Sequence, residues 1–163
     1  MLSIAPEHKL RGMLFWLMGD LSQSGTPWIA LAVLVAALVA SLPFARELNL
    51  LARGHDTAQS LGVDVRRLRY SIYAIASLVT AMAVTSAGSI GFVGLIVPHL
   101  VRLAIGNDQR LLLPASVLAG GALLTFADTL ARTVIAPQQL PVGVLTALIG
   151  VPVFLFLLAR HRQ

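Results

Sequence analysis

Four stretches of the chain contain no Asp, Glu, Lys or Arg at all: Leu21 to Ala45, Tyr70 to Val101, Leu111 to Ala127 and Thr133 to Ala159. They run to 25, 32, 17 and 27 residues. A helix needs about 20 apolar residues to cross a hydrocarbon core roughly 30 Å thick. Three of the stretches therefore fit one span each. The longest, extended from Arg66 to Gly106, has 41 residues, which as one helix would reach roughly 60 Å. Ser86-Ala87-Gly88-Ser89-Ile90-Gly91 is the natural break, because two glycines weaken a helix there. The expectation is an all-α transmembrane fold with five spans, at about 28–45, 67–87, 90–106, 112–131 and 142–159. Charged residues make up 12% of the chain, about half the usual share for a soluble domain. That excludes an ordinary soluble domain and a disordered chain. Cysteine is absent, which excludes disulfide scaffolds, thiolate zinc sites and cysteine nucleophiles.

The side of each loop follows from Lys/Arg counts. Loops 46–66, 107–111 and 160–163, with flanking helix ends, hold Arg46, Arg53, Arg66, Arg67, Arg69, Arg102, Arg110, Arg160 and Arg162. Segments 1–27, 88–89 and 132–141 hold only Lys9, Arg11 and Arg132. Nine against three puts the first set, and the C-terminus, in the cytoplasm. The net +5 is then mostly a topological signal and not a nucleic-acid footprint. The N-terminus falls outside, yet Met1 to Met18 has no signal-peptide pattern. Either this is a small N-out membrane protein or helices precede it. An odd span count with ends on opposite faces also suits one half of an inverted repeat.

Three segments carry more than hydropathy. In 46–66, Leu48, Leu51 and Ala52 recur at helical spacing, Gly54 can supply a left-handed turn, and Ala58 and Leu61 resume the pattern before Gly62. Two short amphipathic helices at a sharp angle are expected. They either rest on lipid headgroups or dock a soluble partner. In Gly91 to Arg102, Pro98 removes a backbone donor and frees the Gly94 carbonyl, while His99 and Arg102 share a face. This is either a proline kink with a snorkelling arginine or a helix beside a translocation path, with Gly91 and Gly94 allowing close packing. Asp128 and Arg132 sit i,i+4 near the outer end of the fourth span. They form a local ion pair, or Arg132 is presented outward to an acidic partner. Residues 7–28 read as an interfacial helix ending at Gly19-Asp20, with Trp16 and Trp28 as belt residues, and 136–143 as a turn-rich external connection.

Catalytic signatures are absent: there is no GxSxG, HExxH, phosphate loop or dinucleotide fingerprint, and His55-Asp56 alone is far short of a metal site.

The ordered pattern Leu48-Asn49-Leu50-Leu51-Ala52-x-Gly54, Ala58, Leu61-Gly62-Val63, Gly91-Phe92-Val93-Gly94-Leu95-Ile96-x-Pro98-His99-x-x-Arg102, Leu113-Pro114, Ala127-Asp128-x-x-Ala131-Arg132 and Leu140-Pro141-Val142-Gly143-x-x-Thr146-Ala147-x-x-Gly150-x-Pro152 resembles the FecCD-type, or type II, permeases of iron-chelate and cobalamin ABC importers. Phe15-Trp16-x-Met18-Gly19-x-Leu21 fits as well. The resemblance covers nearly the whole chain and implies a good deal. Such permeases have ten helices in two pseudo-symmetric halves and work as dimers; this chain is similar to the last five helices and the connection before them. It implies a single transmembrane domain, 1–163, with 1–27 as a gate-side external connection and 46–66 as the cytoplasmic coupling loop. Leu48, Leu51, Ala52, Arg53, Gly54, Ala58, Leu61 and Gly62 would fit a cleft on a cytosolic ATPase, and Arg132 would meet a carboxylate of a periplasmic substrate-binding protein. Gly91, Gly94, Pro98, His99, Arg102 and Asp128 would line the translocation path or pack helices. The expected setting is the bacterial inner membrane, with a second permease copy and an N-terminal permease half as further partners. No cofactor is implied, and ATP chemistry would belong to the partner. The expected cargo is a ferric siderophore, with haem or cobalamin next. The expectations from other classes are a non-transporting scaffold and a small intramembrane enzyme using Asp128 and His99.

Overall fold

The computed structural model describes residues 7–21, 26–134 and 140–160, and these are helical with short turns between. The helices are α1 (Glu7–Leu17), α2 (Pro27–Ser41), α3 (Ala45–Leu51), α4 (His55–Ser60), α5 (Val65–Ala87), α6 (Val93–Ile105), α7 (Gln109–Thr133) and α8 (Val142–Arg160). No strand occurs among the described residues. The expected connection over 136–139 lies outside them, as do parts of 1–27 and 160–163.

α2 opens on Pro27, whose missing N–H costs nothing at the first helical position. Its residues are apolar on every side except Ser41, so it has no face suited to water. Pro43 then tightens the chain into a 3-10 turn, Leu42–Phe44, before α3 continues. The helical run Pro27–Leu51 is 25 residues long. The first expected span thus carries on into the start of the 46–66 loop. With Val65–Ala87 and Gln109–Thr133 it is one of three described helical runs long and apolar enough to cross a membrane.

The third expected span is the short apolar helix α6, and the fifth is α8, 19 residues long. α6 has 13 residues, about 20 Å at 1.5 Å per residue, short of a full crossing. The reason lies in 88–92. Gly88 (φ 71°) and Phe92 (φ 66°) both adopt left-handed backbone, so the expected first turn of the span is not helical. The Val93 N–H bonds the Gly91 carbonyl across Phe92 at 2.9 Å, and α6 starts only afterwards.

Packing divides the chain into two units. One gathers α1, the end of α5 with the start of α6, the second half of α7, and α8. Its core is Ala127, Ala131 and Val142, with Leu21, Leu124, Leu140 and Leu145 packed around it. The two alanines keep that side of α7 shallow, which lets Leu140 reach the Ala131 carbonyl with its N–H at 3.2 Å. The other unit gathers α2, α3, α4, most of α5, the end of α6 and the first half of α7. Ala45, Ala58, Val65, Leu68, Val97 and Leu112 are buried in it. Large apolar side chains stand open in both units; Trp28 is 78% exposed, Leu118 75% and Leu148 71%. Apolar surface on that scale belongs against lipid or another protein.

Candidate functional site

The two short helices expected in 46–66 are α3 and α4, joined by a tight elbow. The Gly54 N–H closes the turn onto the Leu51 carbonyl at 3.1 Å, and the Gly54 carbonyl accepts from Ala58 N–H at 3.1 Å. Gly54 has φ 127° and ψ 151°. Its nearest neighbour for an added side chain would be Thr57 Oγ1 at 3.6 Å, so backbone conformation, not space, selects glycine there. Gly62 ends α4 at φ 82°. Val63 N–H bonds the Ala58 carbonyl (3.0 Å) and Gly62 N–H the Gln59 carbonyl (2.9 Å), the paired bonds of a Schellman stop. Asp64 then starts α5, its Oδ1 accepting from Arg67 N–H at 3.0 Å.

The elbow residues divide by exposure. Leu61, Ala52, Arg53, Gly54 and Gly62 are exposed, and Leu48 and Leu51 are half-buried. Ala58 is fully buried, so it holds the elbow together and presents no surface. Basic side chains flank the elbow: Arg46, Arg53, Arg66, Arg67 and Arg69 are exposed, with the Arg66 guanidinium 5.8 Å from the Tyr70 ring centre.

One contact at this end is absent from the sequence reading. Asn49 of α3 donates from Nδ2 to Asp108 Oδ1 at 2.7 Å. Its Oδ1 accepts from Gln109 N–H, the first residue of α7, at 2.9 Å. Asp108 Oδ1 also accepts from Arg110 N–H at 3.0 Å. The Asn49 hydrogen bond, followed by the one from Arg110 N–H, holds the Asp108 carboxyl below the ordinary aspartate value. A 59-residue separation hides such a pair from any local pattern.

The other unit holds a three-way junction that sequence reasoning also missed. The Asp20 N–H bonds the Ala87 carbonyl at 2.9 Å, and the Gly143 N–H faces the Gly19 carbonyl at 3.4 Å. A side chain on Gly88 would run into the Trp16 carbonyl, and one on Gly143 into the Met18 carbonyl. One on Gly19 would lie 2.8 Å from Ile90 Cγ1. Three glycines thus let the end of α1, the end of α5 and the start of α8 touch backbone to backbone. Nearby, an added Cβ on Gly150 would lie 2.5 Å from Phe92 Cβ, so α8 offers the left-handed Phe92 a notch.

The remaining expected residues lie as follows. Arg132 Nε donates to Asp128 Oδ2 at 2.8 Å; the local ion pair forms, with the Arg132 side chain 40% exposed and Asp128 25%. In α6, Arg102 is exposed, and Pro98 and His99 are half-buried. Apart from the adjacent backbone, nothing among the described residues lies within 4 Å of where a side chain on Gly91 or Gly94 would begin. No cluster of three or more His, Cys, Asp or Glu able to hold a metal occurs among the described residues.

Long apolar helices and an exposed helix–turn–helix elbow define a polytopic membrane protein. The chain belongs to the FecCD transport family, which it matches over residues 1–160. It is similar to the cobalamin import system permease protein BtuC of Halobacterium salinarum, 51% identical over 160 residues, 96% of this chain and 42% of that protein. It is 43% identical to the hemin transport system permease protein HmuU of Yersinia pestis, over 98% of this chain and 48% of that one. For the Fe(3+) dicitrate transport system permease protein FecD of Escherichia coli the figures are 42%, 99% and 51%. A solved inward-facing conformation of a metal-chelate type ABC transporter superposes with a TM-score of 0.83 at 34% identity, covering 96% of this chain and 51% of that one. The chain spans about half the length of the curated relatives it matches.

Proposed function

We propose that this chain supplies about half of the membrane permease of an ABC importer for a metal chelate, driven by ATP binding and hydrolysis on a separate subunit. The observation that carries the reading is the α3–α4 elbow. Its exposed rim, glycine turn and Schellman stop make a rigid knob, suited to a cleft on a soluble motor. Family membership supports it, since relatives of this chain bear the names of cobalamin, hemin and Fe(3+) dicitrate permeases. In this reading Leu48, Leu51, Ala52, Arg53, Gly54, Leu61 and Gly62 form the ATPase-facing rim, and Ala58 supports them from inside. The elbow and the C-terminus face the cytoplasm, on the strength of the arginine excess. Arg132 shares its charge between Asp128 and a carboxylate of the external binding protein. The segment Gly91 to Arg102 borders the path of the cargo, and a companion permease segment and a second copy complete it.

A ferric siderophore is the cargo of the first reading. Cobalamin is the second, favoured by the 51% identity to the Halobacterium permease. Uptake of radiolabelled ferric siderophore, haem and cobalamin by the assembled transporter separates the cargoes. Gly54→Pro tests the docking reading. Proline requires φ near −65°, against the observed 127°, and lacks the N–H that bonds Leu51. Transport-linked ATP hydrolysis is expected to be lost while the helices remain folded by circular dichroism. Unchanged hydrolysis would rule out docking at this elbow.

A further inference from the structure

An apolar cavity of about 330 Å³ lies between α2, α3, α5 and α7, lined by Leu38, Leu48, Ile72, Ile75, Leu113 and Val117. Where α3 faces α7, apolar packing is therefore incomplete. A polar connection between them runs through one side chain. Asn49 meets two consecutive residues at the start of α7, donating to Asp108 Oδ1 (2.7 Å) and accepting from Gln109 N–H (2.9 Å).

The chemistry suits that position closely. Asp108 caps α7 in the ordinary way, its Oδ1 taking Arg110 N–H, and its backbone carbonyl takes Leu112 N–H at 2.8 Å. Gln109 N–H is one of the first-turn donors that a helix leaves without an internal partner. A carboxamide supplies the acceptor that this N–H needs and, two bonds away, the donor that the Asp108 carboxylate needs. A carboxylate at 49 would face Asp108 charge to charge, and an aliphatic side chain would remove the acceptor of Gln109 N–H and leave Asp108 Oδ1 with Arg110 N–H alone.

We propose that Asn49 is a positioning residue that latches the α3–α4 elbow to the start of α7, so that a displacement of the elbow moves α7 with it. The role attributed to the displacement rests on the docking reading above; the latch itself does not. In a transporter driven at the elbow, α7 receives the motion through Asn49, and the cavity beside it lets α3 shift against α2 and α5.

The chain has no cysteine, so paired labels report cleanly. Spin labels on Gln59→Cys in α4 and Leu111→Cys in α7, both exposed positions, measure the distance from elbow to helix in the assembled transporter. With Asn49 intact, one narrow distance is expected, unchanged by ATP. In N49L that single distance is lost, and the broadened distribution shifts on ATP addition. In N49D/D108N the carboxylate at 49 accepts from the carboxamide at 108 and from Gln109 N–H, so the narrow distance returns. Transport per ATP hydrolysed falls about threefold to tenfold in N49L, the weight of a net hydrogen bond or two, while co-purification of the ATPase is retained. A narrow, ATP-insensitive distance in N49L would overturn the latch. So would failure of the double variant to restore it, or loss of ATPase co-purification in N49L, which would make Asn49 part of the docking face. If the unsubstituted transporter does not retain an ATPase, the docking reading fails, and the label distances still judge the latch.

Discussion

Gly88→Ala tests the glycine junction most directly. Gly88 is buried at φ 71°, and the place its Cβ would take is occupied by the Trp16 carbonyl. Left-handed backbone costs an alanine about 1–2 kcal/mol by itself. The overlap then forces the end of α1 away from the end of α5. That motion stretches the bond from Asp20 N–H to the Ala87 carbonyl (2.9 Å) and loosens the approach of Gly143 N–H to the Gly19 carbonyl (3.4 Å). Each is a backbone hydrogen bond with a net weight of about 1 kcal/mol. The sum is about 3–4 kcal/mol of destabilisation, large for one methyl group. Gly91→Ala is the internal control: beyond its chain neighbours nothing among the described residues is within 4 Å, and its backbone is not left-handed, so it should stay within about 0.5 kcal/mol of the parent. The assay is reversible unfolding of the purified protein in mixed micelles, with denaturing detergent as titrant. Equal stability of the two variants would refute the reasoning, because the close approach at Gly88 would then not exist in the folded protein.

Further outcomes follow from the same contacts. Asp108 should titrate below the ordinary aspartate value; because folding depresses it, its stabilisation is complete above the unfolded value and disappears as pH falls through the folded one. Carboxyl-carbon NMR reads this midpoint, and N49L should move it up toward the ordinary value; a midpoint unmoved by N49L would contradict the hydrogen bond as its main cause. Arg132→Glu should weaken capture of the external binding protein, more so at low salt, in a binding titration. A dissociation constant unchanged at both salt levels would remove Arg132 from that interface.

Much of the fold is legible in the amino-acid sequence. The expected spans 67–87 and 112–131 lie within a few residues of Val65–Ala87 and Gln109–Thr133, and 28–45 finds the start of Pro27–Leu51, because a segment without charge and with about 20 apolar residues has few places to go except across a bilayer. Gly54 and Gly62 mark the two ends of α4, because a left-handed residue at a helix boundary is a local demand that glycine meets cheaply. The Asp128–Arg132 pair is equally local, one helical turn apart. Other positions escaped for a definite reason. Gly91 and Gly94 stand three residues apart in an apolar motif, a spacing that suggests packing glycines, yet among the described residues both face open space. The glycines that make close approaches, Gly19, Gly88, Gly143 and Gly150, are scattered along 132 positions and share no spacing.

The chain's own order of residues therefore determined its solvent, its helices and the elbow between α3 and α4, all of which depend on neighbours within a turn or two. Only the tertiary structure decided which backbone surfaces meet. The Gly19–Gly88–Gly143 junction, the notch for Phe92 at Gly150 and the Asn49–Asp108 latch each join residues far apart in sequence, where no periodicity acts. Phe92 shows the same division within one residue. Its neighbours suggested a helix starting at 90, but the folded chain turns left-handed there and begins α6 at Val93. Local propensity is a matter of a few tenths of a kcal/mol per residue, and close packing against α8 is enough to override it.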